Sequence, residues 1–298
     1  MNNKLLYLAL FSVSFFWGTS FALVKIGLSL SGQVEFVFSR LFVSACIFAI
    51  FLCFLRKSIN IKIAPAHYKD FFILSIIGIT TYYPIQTLGV NLTTTIHSAL
   101  IMATSPIICS LFILYAEKNF PKKIFSGILL AFSGVGLIIL TSSKTSLELP
   151  YMFWGDILLL INSIAWAYFS LRGRQIMTHY HPFVCMAYIF ILGTILLIPL
   201  MLVFNAFQPL VFNFFQPPNF SLLGILVYLG IFSSVYSYFI WYKAINTIGA
   251  VKTSVFMYLN PLISTITGAL FLSEPLTITT IIGGTCILCG VYLVNKNK

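Results

Sequence analysis

Charge is scarce in this chain: only 8% of its 298 residues are Asp, Glu, Lys or Arg, against about a quarter in an ordinary soluble domain. A water-facing surface cannot be covered with so few charges, so most of the surface is expected to face lipid. Acids are scarcer still. The six are Glu35, Asp70, Glu117, Glu148, Asp156 and Glu274, and none lies near the centre of an apolar run. A proton-coupled pump needs a carboxylate inside its membrane helices. Their absence from the run centres points instead to a neutral or zwitterionic solute moving down its gradient, without obligatory proton exchange.

Histidine is also sparse. His67, His97, His179 and His181 form no cluster with Asp or Glu, which leaves metal-dependent hydrolysis without a ligand set. No GxSxG stretch supports serine chemistry, so an enzyme is not expected and no cofactor is implied. The six cysteines, Cys46, Cys53, Cys109, Cys185, Cys286 and Cys289, all fall inside apolar runs, which argues against an external disulfide framework. The CxxC pair Cys286 and Cys289 has no further ligand nearby and reads as small soft residues at a helix contact.

What the chain does have is apolar length. Hydrophobic residues make up 59% and mean hydropathy is +1.00. Ten runs of bilayer-crossing length can be marked, at 5–25, 33–55, 70–90, 95–116, 123–141, 155–173, 183–204, 221–242, 250–272 and 277–294. The fold class expected is an all-α integral membrane protein, multi-pass in the inner (plasma) membrane of a bacterium. The first run, behind Lys4, ends in FFWGTSFALVKIG, too bulky for a typical cleavage site, and reads as an uncleaved span. With the N-terminus cytoplasmic, 14 of the 17 basic residues fall in cytoplasmic segments, leaving Lys25, Arg40 and Lys144 toward the outside. Both termini are therefore predicted cytoplasmic. The net charge of +11 is scattered over short segments, so no nucleic-acid partner is expected. The partners expected are a small-molecule substrate and the lipid bilayer.

The chain repeats itself. At an offset of 155 residues Pro261 pairs with Pro106, Met257 with Met102, Asn260 with Ser105, Tyr238 with Tyr83 and Asn246 with Asn91; at 149, Trp166 pairs with Trp17 and Arg174 with Lys25. Two five-helix halves follow, 1–145 and 150–298. An odd number of spans per half inverts the second copy, the arrangement behind alternating access.

Several stretches carry a family resemblance: FFWGTSF, Arg40 in FSRLFVSA, SALIMATSPIICSLF followed by Glu117, and TSVFMYLNPLISTITGALFLSEPLT closed by GGTCILCGVYLV. Together they resemble the drug/metabolite transporter superfamily, in its ten-helix EamA-type branch, over essentially the whole chain. The resemblance implies two inverted five-helix repeats around a central cavity, moving small metabolites, often amino acids and often outward.

Candidates for the cavity lining are polar and aromatic residues that recur at three or four residues within a run. These are Trp17 and Ser20; Tyr82, Tyr83 and Gln86; Ser98, Met102 and Ser105; Asn162 and Trp166; Tyr238 and Trp241; and Ser254, Tyr258 and Asn260. Trp241 and its neighbour Tyr242 also suit an interfacial belt. Pro106 and Pro261 are expected to kink their helices near mid-depth, freeing carbonyls that can serve a cavity or packing alone. Gating or coupling candidates are Glu35, Arg40 and His97, with an interfacial position expected for His97. Glu117 and Glu274 sit at run ends, where a carboxylate ties down a helix N-terminus. Gly127, Gly134, Gly136, Gly283, Gly284 and Gly290 allow close helix approach within the chain or between protomers, so a monomer and a homodimer both fit. The uncharged loop NAFQPLVFNFFQPPNF, 205–220, is expected to rest in the outer interface.

Amino acid export through the central cavity is the first reading. Uptake or exchange of a cofactor-like metabolite such as S-adenosylmethionine is the second, since Lys outnumbers Arg 13 to 4 as in an AT-rich genome. A flippase for a lipid-linked substrate is a third.

Overall fold

The computed structural model describes residues 3–117, 122–142, 150–207 and 220–296. Most of the loop 205–220, together with Lys144 and Glu148, lies outside the described residues, as does the side chain of Glu117.

Ten apolar helical spans follow one another. They are α1 (Asn3–Leu30), α2 (Gln33–Leu55), α3 (Pro65–Leu92), α4 (Thr95–Met102 and Ser105–Glu117), α5 (Lys122–Ser142), α6 (Met152–Ile176), α7 (Pro182–Phe207), α8 (Phe220–Ile248), α9 (Ala250–Ser254, Val255–Tyr258 and Leu259–Leu272) and α10 (Ile278–Lys296). Eight carry a window long and apolar enough to cross a bilayer, while the apolar parts of α5 and α10 are shorter. Leu8, Phe54, Leu129, Leu140, Leu202 and Leu270 are each more than 60% exposed. Large apolar side chains left bare in this number suit a lipid solvent.

The helix contacts come in matched pairs. α1 packs on α9 as α6 packs on α4; α3 packs on α6 as α8 packs on α1; and α2 packs on α8 as α7 packs on α3. Two further contacts, α2 with α7 and α5 with α10, map onto themselves when the halves are exchanged. This pattern is inverted-repeat-like.

The α5–α10 contact is the tightest of these because glycines face each other across it. A Cβ on Gly134 would stand 2.5 Å from the Gly283 carbonyl oxygen, and one on Gly290 would stand 2.5 Å from that of Gly127. Only glycine allows the two backbones to meet so closely.

The spans are not uniform helices, and their irregularities also recur. α3 contains a π-helical segment at Ile76–Thr81 and α8 one at Leu229–Tyr236, overlapping positions at the 155-residue offset. A π turn leaves backbone carbonyls unpaired, and hydroxyls take them up. Thr80 donates to the Ser75 carbonyl at 3.3 Å and Ser237 to the Phe232 carbonyl at 2.6 Å, each five residues back.

The prolines act just downstream of breaks. α4 is interrupted at Ala103 and Thr104, immediately before Pro106, and α9 tightens to 3₁₀ over Val255–Tyr258, before Pro261. Each proline lacks the N–H that would close the preceding turn. The freed region is secured from the neighbouring helix in both halves. Ser163 of α6 donates to the Ile101 carbonyl at 3.2 Å, and Ser14 of α1 donates to the Phe256 carbonyl at 2.7 Å. Ser14 and Ser163 are 149 apart, and Ile101 and Phe256 are 155 apart, so the two bonds are counterparts. Thr104 and Ser105 add local bonds to the Ile101 and Met102 carbonyls, each at 2.7 Å.

Candidate functional site

Where α1, α2, α3, α4, α6, α8 and α9 converge, they enclose a cavity of about 60 Å³, room for a few water-sized groups. Its wall contains Trp17, Ser20, Tyr82, Tyr83, Gln86, Met102, Trp166, Tyr238 and Asn260 from the cavity candidates, and Arg40 from the gating candidates. Phe21, Ala99, Ala103, Ser233 and Met257 complete it. Of these, Met257 stands where the repeat puts the partner of Met102. Ser233 lies in the π segment of α8, which an apolar pattern does not reveal.

The aromatic side chains form one packed cluster. Trp17 and Trp166 meet edge to face with ring centroids 5.7 Å apart, and Tyr238 touches both, at 5.9 Å and 5.6 Å. Tyr83 donates its phenol hydrogen to Tyr238 at 3.3 Å. The Trp17 indole N–H is fixed by the Ser233 carbonyl at 2.9 Å, so the π segment of α8 orients a cavity wall on α1. Gln86 donates to the Tyr82 hydroxyl at 3.0 Å.

Arg40 is the one charged side chain in this wall. It is 4% exposed, and its guanidinium carbon sits 4.7 Å from the centre of the Tyr83 ring, a cation–π arrangement. No ion pair joins it among the described residues, and its Nε has no hydrogen-bond partner. The side-chain oxygen of Asn260, 9% exposed, is likewise without one.

A second pocket of about 100 Å³ lies on the other side of Trp166 and Met257, which line both. Ser105, Pro106, Arg174, Trp241 and Ser254 belong to its wall. The two pockets are thus neighbours that share an indole and a thioether side chain. A larger groove of about 350 Å³, walled by Ile63, Tyr68, Phe71, Tyr188, Ile191, Leu192 and Ile195, has only the two tyrosine hydroxyls as side-chain polar groups and lacks the converging polar groups of a solute site.

The remaining candidates lie elsewhere. Ser98 is buried and donates to the Thr94 carbonyl at 2.7 Å. Asn162 is buried against the Met102 sulfur, 3.9 Å away. Tyr258 is half-buried within the 3₁₀ turn. Ser254 and Asn260, six residues apart on α9, line different pockets. Trp241 and Tyr242 are buried rather than belt residues. Pro261 is buried in α9 beside Asn260.

The ionisable residues at the helix ends are buried too. The expected interfacial His97 is only 4% exposed. Its Nδ1 lies 3.1 Å from Asp156 Oδ2 and its Nε2 3.2 Å from Thr280 Oγ1, while Thr93 donates to Asp156 Oδ1 at 2.6 Å. Asp156 is fully buried and Glu35 nearly so. Distance from a run centre is therefore no guide to exposure, and the absence of buried acids inferred from sequence does not hold.

Glu274 caps a helix in the other half. It accepts from the Thr95 N–H at 2.8 Å, the Thr95 hydroxyl at 2.7 Å and the Ile96 N–H at 3.2 Å. Lys25 stands 3.7 Å from the same carboxylate and donates to the Thr93 carbonyl. The helix tied down is thus α4. Ser273, at φ 52°, turns the chain back through the left-handed region, a conformation with a small cost outside glycine. Gly268 leaves the space, since a Cβ there would lie 2.8 Å from Glu274 Oε2.

Among the described residues no group of three His, Cys, Asp or Glu side chains could hold a metal ion. Comparison with known proteins agrees with this architecture. An uncharacterized transporter of Archaeoglobus fulgidus is 30% identical over 300 residues, covering 100% of this chain and 99% of its own. The uncharacterized transporter YyaM of Bacillus subtilis is 26% identical over 292 residues, covering 98% of this chain and 93% of its own. A solved crystal structure superposes with a TM-score of 0.67 at 17% identity, over 97% of this chain and 96% of that one, and so shares the fold. The EamA-like transporter family matches twice, over residues 4–140 and 153–296. The chain belongs to that family: it is a multi-pass membrane transporter of the drug/metabolite superfamily and not an enzyme.

Proposed function

We propose that the protein exports an amino acid across the bacterial inner membrane, with both termini cytoplasmic and the halves 1–145 and 150–298 acting as inverted repeats. Alternating access would then exchange solute between the central cavity and the pocket beyond Trp166 and Met257. The observation that carries this reading is the position of the cavity. Its wall contains the counterpart pairs Trp17 with Trp166, Tyr83 with Tyr238 and Met102 with Met257, so both halves build it from equivalent residues. That is where inverted-repeat transporters hold their solute.

The cavity is small, mostly aromatic, and supplied with a few polar groups, as a selective small-molecule site is. The basic residues Arg56, Lys57, Lys62, Lys69, Arg172 and Arg174 fall at helix ends and loops on the side where Arg172 meets Asp70 at 3.5 Å, which supports assigning that side to the cytoplasm by the positive-inside rule. Cells preloaded with labelled amino acids and overproducing the protein should lose at least one of them faster than cells with empty vector. Faster uptake of an amino acid instead would contradict the export direction, and no change in either direction would contradict the amino acid reading.

A further inference from the structure

We infer that Arg40 is the carboxylate-receiving group of the central cavity and that Asn260 receives a hydrogen-bond donor of the same solute. The substrate class is then a zwitterion of the free α-amino acid kind with an apolar or aromatic body. This inference rests on the transporter reading and specifies what its cavity holds.

The first ground is chemical incompleteness. A guanidinium presents five donors and no acceptor, and in a desolvated setting it is normally matched by a carboxylate or phosphate. Arg40 lines the cavity at 4% exposure, with Nε unpartnered and no carboxylate in ion-pair range among the described residues. The Tyr83 ring at 4.7 Å covers one face of the guanidinium. Arginine holds a carboxylate through paired N–H contacts along the guanidinium edge, and on Arg40 the Nε of that edge is without a partner.

Asn260 supplies the second ground. Its side-chain oxygen is buried and without a donor, and Asn260 sits in the α9 segment that follows the 3₁₀ turn. A buried carbonyl-type oxygen without a donor is costly, and an ammonium or amide N–H of the solute would satisfy it. The third ground is the sign of the field. Arg40 is the one charge in a wall otherwise made of aromatic, thioether, amide, hydroxyl and apolar groups. A quaternary cation would meet net repulsion there, and a dianion would find one cation for two charges. A carboxylate with an ammonium nearby leaves Arg40 and Asn260 both paired. The rings of Trp17, Trp166, Tyr82 and Tyr238 take the remaining body.

The test is ligand binding to the purified full-length protein in detergent, by calorimetry and thermal shift. The probes are the free amino acids, their methyl esters, which remove the negative charge, and tetraethylammonium. At least one free amino acid should bind, and its methyl ester should bind at least about tenfold more weakly. Arg40→Gln should reduce affinity for the acid about tenfold or more and leave the ester unchanged, while Arg40→Lys should retain part of the discrimination. Asn260→Ala should weaken acid and ester alike. If Arg40→Gln fails to fold, the acid-to-ester ratio of the unaltered protein and of Arg40→Lys decides the matter. Equal binding of acid and ester, a ratio unmoved by the Arg40 variants, a preference for tetraethylammonium, or binding by no free amino acid would overturn the inference. An amino acid that binds through Arg40 but is not moved across vesicle membranes would leave this site assignment standing and contradict the transport reading instead.

Discussion

Tyr83 and Tyr238 share a hydrogen bond of 3.3 Å between their hydroxyls, and they are 155 residues apart. That number is the repeat offset, so each tyrosine bonds to its own counterpart. Trp17 and Trp166, counterparts at 149, meet in the same way at 5.7 Å. The cavity sits among these pairs, whose members come from the two stretches that each match the family.

The bonds from Ser14 and Ser163 to the broken regions of α9 and α4 should be matching supports. Ser14→Ala and Ser163→Ala are each expected to lower stability by about 0.5–1.5 kcal/mol, since a carbonyl in each broken region loses the donor from the neighbouring helix. Having no partner in common, the two effects should add in the double variant. Thermal unfolding in detergent measures this, and two silent substitutions would show that the breaks are held by other contacts.

The α5–α10 contact provides its own control. Gly134→Ala places a methyl 2.5 Å from the Gly283 carbonyl, whereas a Cβ on Gly136 meets nothing within 4 Å. Gly134→Ala should cost about 1–3 kcal/mol through forced separation of the helices. Gly136→Ala should be neutral or gain up to about 1 kcal/mol from helix propensity. Equal melting temperatures for the two variants would refute the close contact.

Much of this architecture was legible in the sequence, and the limits are physical. Spans announce themselves because lipid demands an unbroken apolar length, and the repeat survives as pairs such as Met102 with Met257. The π segments at 76–81 and 229–236 left no trace, because an apolar run reads the same whether a turn takes three, four or five residues. Ser254 and Asn260, both cavity candidates, line different pockets, a division that only the fold shows. The His97–Asp156 pair was invisible for another reason. Its members lie 59 residues apart, and sequence depth made both look interfacial. Arg40 was visible as a rare charge, but only the fold shows that it faces the cavity without an acid.

Glu274 should hold α4 from the opposite half. Glu274→Gln removes the charge from its contacts with the Thr95 and Ile96 amides and leaves Lys25 unmatched. The expected loss is about 2–3 kcal/mol, the range for charge-assisted bonds. Adding Lys25→Met should restore part of it by removing the uncompensated cation. A double variant no more stable than Glu274→Gln alone would argue that capping, not charge pairing, accounts for the whole effect.

The most direct test of the account is counterflow of a labelled amino acid in vesicles containing only the purified protein. Saturable counterflow is predicted, abolished or reduced at least about tenfold by Trp166→Ala and by Asn260→Ala in protein that still folds, and unaffected by Gly136→Ala. Counterflow that persists unchanged in both cavity variants, or that no amino acid supports, would contradict the assignment of the solute path to the cavity between the two halves.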